Sequence, residues 1–424
     1  MPKKTEAILA INGGIPAVTL TPPHHIWPPA PTEDERRDLM QQRELDIGIK
    51  GRVGPIRVFE ELFKDFLEHQ VQYAITFNSG TSALLAAYFA LGIEEGDEVI
   101  APAITYHAAV SCLYFLRANP VLVDVELDTW TIDPAKIEAA ISPRTKAIIV
   151  VHQWGHPADM DRILAIAKKH RLKVIEDCSH AHGSRYKGRL VGTFGEVAVF
   201  SLQTNKLIFA GEGGILVTNS MEVHDRATLL GHYRDRSKNE VISKFYQQFW
   251  VTGYGLKLRM SPYNAITAIH SLAAAHTRIA MRKACLEYFS EKLRVFPELT
   301  ILQPRTEVEL GAWYGFKPRY DSSKFHSISR QKYIDALVAE GVDVSEPGSP
   351  AFSSLPLFTL KDDQMFRNRD TKKVYQPGDF PQAERLARES LSLPTFSRWP
   401  DDKKAMNQYV AAFQKLHDNW QELA

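Results

Sequence analysis

The 424-residue chain has only three cysteines, Cys112, Cys178 and Cys285. They form no CxxC pair and no zinc spacing, so neither a disulfide framework nor a zinc module is indicated. Their apolar or small neighbours suggest buried thiols in a reducing compartment. No metal site is expected. An excess of charge of one sign is missing too: 51 Lys and Arg face 50 Asp and Glu, leaving +1. Without a global field to gather a polyanion, the composition makes no case for nucleic acid or an anionic membrane. No apolar run reaches the ~18 residues of a membrane span. Met1-Pro2-Lys3-Lys4-Thr5-Glu6 has no apolar stretch behind it and is not expected to be a signal peptide. The expectation is a cytoplasmic protein.

Apolar residues make up 44% and charged residues 24%, an ordinary globular balance. The length suits two or three domains, or one large and one small. Residues 1–54 carry Gly13-Gly14, Pro22-Pro23 and Trp27-Pro28-Pro29 and are expected to be irregular, an N-terminal arm or a cover over a neighbour. From residue 55 to about 270 short apolar strands alternate with helical patterns. Strands are expected at Tyr73–Phe77, Glu98–Ala101, Val121–Val125, Ala147–Val151, Lys173–Asp177, Val197–Ser201 and Gly214–Thr218. Ala147–Val151 shows no alternation, as for a strand buried on both faces. The pattern predicts an α/β fold with a mainly parallel seven-stranded sheet covered by helices. Residues 271–424 are expected to form a smaller C-terminal α/β domain. It would include a long helix over 262–296, short strands near Trp313–Pro318 and a last helix over 401–423. The polar stretch Asp362–Tyr375 is expected to be a loop.

Three segments carry chemistry. Asn78-Ser79-Gly80-Thr81-Ser82 lies between a strand and a helix, where backbone N–H groups bind anions. A plain helix cap would read the same. Asp177 ends an apolar strand, where open α/β sheets hold ligands; a structural ion pair would also suit it. Lys206 follows Ser201-Leu202-Gln203-Thr204-Asn205 and precedes Gly211-Glu212-Gly213-Gly214. A lysine held in a cleft can become an amine nucleophile toward an aldehyde; a surface lysine is the alternative. Taken together, a phosphate cradle, a carboxylate and a Schiff-base lysine are what pyridoxal 5'-phosphate requires.

Here the chain resembles the DegT/StrS sugar aminotransferases, a branch of the fold-type-I pyridoxal phosphate enzymes. The resemblance is carried by Ser79-Gly80-Thr81-Ser82-Ala83-Leu84, Gly96-Asp97-Glu98-Val99-Ile100, Val123-Asp124-Val125, Thr145-Lys146-Ala147-Ile148 and Val151-His152-Gln153-Trp154-Gly155. It continues through Asp159-Met160-Asp161, Val174-Ile175-Glu176-Asp177, Phe200-Ser201, Lys206 and Ala210-Gly211-Glu212-Gly213-Gly214. A looser echo follows in Ala383–Ala387 and Leu391–Pro394.

The resemblance implies roles. Lys206 would hold the cofactor and move protons, and Asp177 would pair with its pyridine nitrogen. Ser79, Gly80, Thr81 and Ser201 would hold its phosphate, and Tyr106 would stack on its ring. His180 stands where many members have Gln, near the cofactor's 3-hydroxyl. Lys257, in Gly255-Leu256-Lys257-Leu258-Arg259, replaces an Asn that relatives donate across a homodimer to the phosphate. Gln203 stands near the position where nucleotide-sugar members often carry Pro or Ala, and Ser-x-Gln-x-x-Lys resembles the inosose and aminohydroxybenzoate-type members. The expected function is amino transfer from L-glutamine or L-glutamate, through pyridoxamine phosphate, to the ketone of a ketocyclitol or keto-sugar. A nucleotide-linked keto-sugar is the nearest alternative acceptor. A sugar dehydratase or a catalytically idle regulatory relative would more often lack the lysine.

Other residues stay open on sequence alone. His152 and Trp154 suit an acceptor pocket or a packed core equally, and His107 suits a structural role. Trp27 with His24 and His25 suits a reach across the dimer or a plain surface. Arg234 and Arg259 suit the donor's α-carboxylate or surface ion pairs.

Overall fold

A computed structural model describes residues 8–48, 50–361 and 373–423. Seven strands build the main sheet: β1 (Tyr73–Phe77), β2 (Glu98–Pro102), β3 (Asn119–Val123), β4 (Thr145–Val151), β5 (Lys173–Asp177), β6 (Val197–Ser201) and β7 (Gly214–Thr218). Their spatial order is β1-β7-β6-β5-β4-β2-β3. β3, β2, β4, β5 and β6 run parallel, and β7 lies antiparallel between β6 and β1. The expected α/β architecture and mainly parallel seven-stranded sheet are therefore present.

Both faces of the sheet are covered, which explains the unbroken apolar run of β4. Ile148 and Val150 join one core with Val174, Phe289, Phe316 and Phe413. Ile149 and Val151 join the other with Leu84, Tyr88 and Leu216. Under the β6–β7 end, Phe200 and Ile215 pack on Phe59 and Phe63 of the amphipathic helix α2 (Gly54–Phe66). The carboxyl ends of the parallel strands stop along one edge. There Val151 pairs with Asp177, and Ser201 pairs with Gly214, which also pairs with Phe77. That register brings the segment after β1 beside the ends of β6 and β5.

Several expectations are corrected. The stretch expected to be irregular contains a helix, α1 (Glu33–Leu45). Thr32 caps it by accepting from the Glu35 N–H at 3.2 Å, and three acidic residues fill its first turn. It buries only Gln42, so it carries no apolar period to read. The long helix is two, Pro262–Ala273 and Ala275–Leu293, separated at Ala274 (φ −91°, ψ 0°). Near Trp313–Pro318 there is one isolated bridge, Phe316 to Leu393, because Trp313 takes a positive φ of 39° and Pro318 lacks an N–H. After Tyr106 the chain forms a short α-turn, Ala108–Ser111, and a 3₁₀ turn, Cys112–Leu116. The terminal helix spans Lys403–Asp418. Most of the Asp362–Tyr375 stretch lies outside the described residues. Its end is anchored, with the Leu122 N–H donating to the Tyr375 hydroxyl at 2.8 Å. All three cysteines are buried and free, as expected. No helix among the described residues is long and apolar enough to cross a membrane.

Candidate active site

The helix after β1, α3 (Gly80–Ala90), begins at the sheet edge. Ser79 caps it, accepting from the Ser82 N–H at 3.0 Å and donating to the Ser82 hydroxyl at 2.9 Å. The helix start rests directly on the strand ends. A Cβ on Gly80 would lie 2.8 Å from the Ser201 Cβ, and one on Gly214 would lie 2.4 Å from the Ser79 carbonyl oxygen. Only glycine allows this approach. It places the first N–H groups of α3, which lack partners within the helix, beside the Ser201 and Thr81 hydroxyls at the cleft wall.

Asp177 ends β5 on the cleft floor and is 6% exposed. It accepts from the Ser179 N–H at 3.0 Å, and burial pushes its carboxyl up despite that bond and the charge of Lys206. No described cation lies at ion-pair distance from it. Its neighbour Glu176 points to the other face and is fully engaged. It accepts from the N–H groups of Gly192, Phe194 and Gly195 at 2.7–2.8 Å and meets His152 Nε2 at 3.1 Å.

Lys206 sits in the loop between β6 and β7, where its N–H closes a turn onto the Gln203 carbonyl at 2.8 Å. Its ammonium nitrogen lies 3.9 Å above the ring of Tyr314, and burial lowers its pKa to about 8. Tyr314 in turn stacks on His180, with ring centroids 4.2 Å apart, and His180 stacks on Trp154 at 5.2 Å. Burial, then the charges of Lys206 and Lys317, push the His180 pKa well down, so its ring is neutral.

One open cleft of about 850 Å³ gathers Ser79, Gly80, Thr81, Tyr106, Asp177, His180, Ser201, Gln203 and Lys206. Tyr106 presents its side chain to the opening and is 61% exposed. Lys257 is not in this cleft. It lies with Arg234 and Arg259 in a second hollow of about 250 Å³, so neither arginine reaches Lys206 within one chain.

The residues left open are now placed. Trp154 lines the cleft. His152 does not: it is fully buried, with Nδ1 accepting from the Ala158 N–H at 3.1 Å while Nε2 faces Glu176. His107 stays at the surface, 4.6 Å from the Tyr106 ring centroid. The arm folds over its own chain. Trp27 Nε1 donates to the Thr204 carbonyl at 3.0 Å, His24 meets the Tyr409 hydroxyl at 3.0 Å, and His25 lines the cleft.

Three cleft residues escaped the sequence reading: Tyr314, Lys317 and Arg282. Lys317 is held over the Trp154 ring at 4.7 Å and donates to the Ser392 hydroxyl. Arg282 had a legible signal. It falls at helical spacing with Ile279, Cys285 and Leu286, on the face that a helix buries.

This arrangement fits pyridoxal phosphate. An anion cradle made possible by two glycines, a buried carboxylate free of any cation, and a buried amine on the verge of deprotonation meet in one cleft. Comparison with known proteins agrees. Residues 33–411 match the DegT/DnrJ/EryC1/StrS aminotransferase family. A putative L-glutamine:3-amino-2,3-dideoxy-scyllo-inosose aminotransferase of Micromonospora echinospora is 33% identical over 97% of each chain. The GDP-perosamine synthase of Escherichia coli O157:H7 is 39% identical over 56% of this chain and 63% of its own. Among solved structures, an aminotransferase from Psychrobacter cryohalolentis superposes with a TM-score of 0.79 at 28% identity, over 93% of this chain and 98% of that one.

Proposed function

The chain belongs to the DegT/DnrJ/EryC1/StrS aminotransferase family, a pyridoxal-phosphate-dependent transaminase by that membership, and we propose that it moves an amino group from L-glutamine to the ketone of a ketocyclitol. L-Glutamate is the second donor to test. The observation that carries the chemistry is Lys206, a buried amine beside a buried, cation-free Asp177. The acceptor class rests on the full-length likeness to the inosose-named relative and on Gln203, which lines the same cleft.

When bound, the cofactor supplies an aldehyde for the amino group and a ring that draws electrons from the adjoining carbon. The chain does the rest. Ser79, Gly80, Thr81 and Ser201 bind the phosphate. Asp177 holds a proton on the pyridine nitrogen, where low dielectric strengthens their attraction. Lys206 Nζ would hold the aldehyde and would move the proton at the donor's α-carbon. Tyr106 would cover the ring and His180 would face its 3-hydroxyl. Trp154 and Lys317 border the acceptor.

Two copies form a homodimer in the cytoplasm, with Lys257 reaching the partner's cofactor phosphate. Exposed aromatic side chains at Phe245, Phe249 and Tyr254, in the segment that leads up to Lys257, support this arrangement.

The test is spectroscopic. Adding L-glutamine to the cofactor-loaded protein should convert the absorption of the aldehyde form to that of the amine form. A ketocyclitol such as scyllo-inosose should then restore it. Restoration by nucleotide-linked keto-sugars alone would replace the acceptor class. No response to glutamine or glutamate would remove the transaminase reading.

A further inference from the structure

The two arginines that the sequence offered to the donor's carboxylate lie in the second hollow. The cleft holds a different one. Arg282 projects from the helix Ala275–Leu293, lines the cleft and is 1% exposed. Its Nη1 donates to the Ala312 carbonyl at 3.1 Å, while its Nε is buried without a hydrogen-bond partner. No described carboxylate lies within 4.0 Å of it. The Trp27 indole covers the guanidinium face, with 4.6 Å from Cζ to the ring centroid. That contact occupies the π face and, with Nη1 on Ala312, leaves the Nε–Nη2 edge of the guanidinium, one of the in-plane forks that grip carboxylates. Burial lowers the Arg282 pKa to about 10, so the group stays charged at neutral pH. A buried cation with an unpartnered Nε calls for a counter-ion that arrives with a ligand.

Position selects the ligand. Tyr314 shares the cleft with both this cation and the reacting amine. Lys206 Nζ stands 3.9 Å above its ring, and the Arg282 charge acts on its phenol. An α-amino acid has its amine and its carboxylate on one carbon, so a molecule reacting at Lys206 carries its carboxylate close to that point.

We infer that Arg282 binds the α-carboxylate of the amino-acid donor and so orients its α-carbon toward Lys206. This rests on the aminotransferase reading above. The inference separates the two half-reactions: the donor needs Arg282, and an acceptor without a carboxylate does not.

The experiment compares wild type, R282Q and R282K, each loaded with pyridoxal phosphate, by absorption titration with L-glutamine and with 4-aminobutanamide, which is glutamine without its α-carboxylate. R282Q should raise the half-saturating L-glutamine concentration by about 30-fold, the weight of a charge-assisted pair. R282K keeps a charge without the fork and should raise it by about 10-fold; it also serves if R282Q does not fold. Titration with 4-aminobutanamide should be the same in all three. An unchanged glutamine titration in the variants, or an equal loss for both amines, overturns the inference. A wild-type protein that answers to neither L-glutamine nor L-glutamate overturns the parent reading, and this inference with it.

Discussion

Lys206 holds its ammonium nitrogen 3.9 Å above the ring of Tyr314 and has no described carboxylate at ion-pair distance. An aromatic face steadies a cation without binding it as tightly as a carboxylate would. Burial then lowers the pKa from 10.5 to about 8. Loading of cofactor-free protein should therefore quicken as pH rises through about 8 and level off above it. The sign for stability follows. Between about 8 and 10.5 the unfolded chain binds a proton that the folded chain has released, so stability rises with pH across that window. Below it, the full cost of the buried cation remains. Urea unfolding of cofactor-free protein should show a gain on the order of 2 kcal/mol from pH 7.5 to 9.5, beyond that of K206M. Equal gains in both proteins would contradict this placement of the lysine. K206M should also lack the absorption of lysine-bound cofactor.

Glu176 and Asp177 are adjacent carboxylates on opposite faces of β5, and their variants should fail differently. Burial pushes Glu176 up, but His152 and the N–H groups of Gly195 and Gly192 outweigh it and hold it below the usual range. Its contribution is present above the unfolded value of 4.5 and is lost as pH falls through the lower folded value. E176Q should lose about 3 kcal/mol at neutral pH, because it breaks a buried pair and turns a donor toward N–H groups. D177N removes a buried charge that only Ser179 bonds, so it should fold normally. Its conversion of the cofactor by L-glutamine should slow by about 10²-fold. Denaturant midpoints and stopped-flow absorption separate the two; equal stability loss in both variants would undo the distinction.

The sheet was legible because each strand is a short apolar run closed by a turn signal, and tertiary burial agrees with local pattern from Tyr73 to Thr218. That Ser79, Asp177 and Lys206 would meet in one cleft was legible because each lies at a strand end or in the loop that follows one. Helix α1 was not, since a helix capped by Thr32 and polar on nearly every face has no apolar period. Trp27 was visible only as one residue of a Pro-rich arm; its seat on Thr204 and Arg282 is made by contacts about 180 and 255 positions away. His152 stayed open because a strand-end histidine reads alike whether it faces the ligand or, as it does, Glu176. Lys257 lies in the second hollow, outside the cleft of its own chain, and was singled out only through the resemblance.

The glycines of the cradle give a graded test. A methyl group at Gly80 would meet the Ser201 Cβ at 2.8 Å and its backbone Cα at 3.1 Å, so the end of β6 would have to give, weakening phosphate binding at some cost in stability. G80A should lower affinity for pyridoxal phosphate by about tenfold and lose about 1–2 kcal/mol. At Gly214 the obstacle is backbone, the Ser79 carbonyl and the Gly80 nitrogen, which cannot move without shifting α3. G214A should lose about 2–3 kcal/mol as well as cofactor affinity. Fluorescence titration and thermal unfolding would read both, and a G214A protein as stable and as tightly loaded as wild type would show that the close approach is not required.

The aromatic strip bears on whether the site is complete in one chain. Phe245, Phe249 and Tyr254 are 62%, 38% and 47% exposed, and their rings touch one another in sequence. Three large rings left partly in water are costly, and their segment is tied to the hollow of Lys257, Arg234 and Arg259 by the Arg234 N–H, which donates to the Trp250 carbonyl at 2.6 Å. A second copy covering the strip would bury the rings and bring those cations near another cleft. F245E/F249E should then run as a monomer by light scattering, keep wild-type far-ultraviolet dichroism and lose cofactor affinity. K257A should stay dimeric and lose affinity by about tenfold, since a lysine meets a phosphate as a point charge. A dimer that survives the double substitution would place the interface elsewhere. A K257A dimer with unaltered affinity would leave the cradle around Ser79 and Ser201 to hold the phosphate from its own chain.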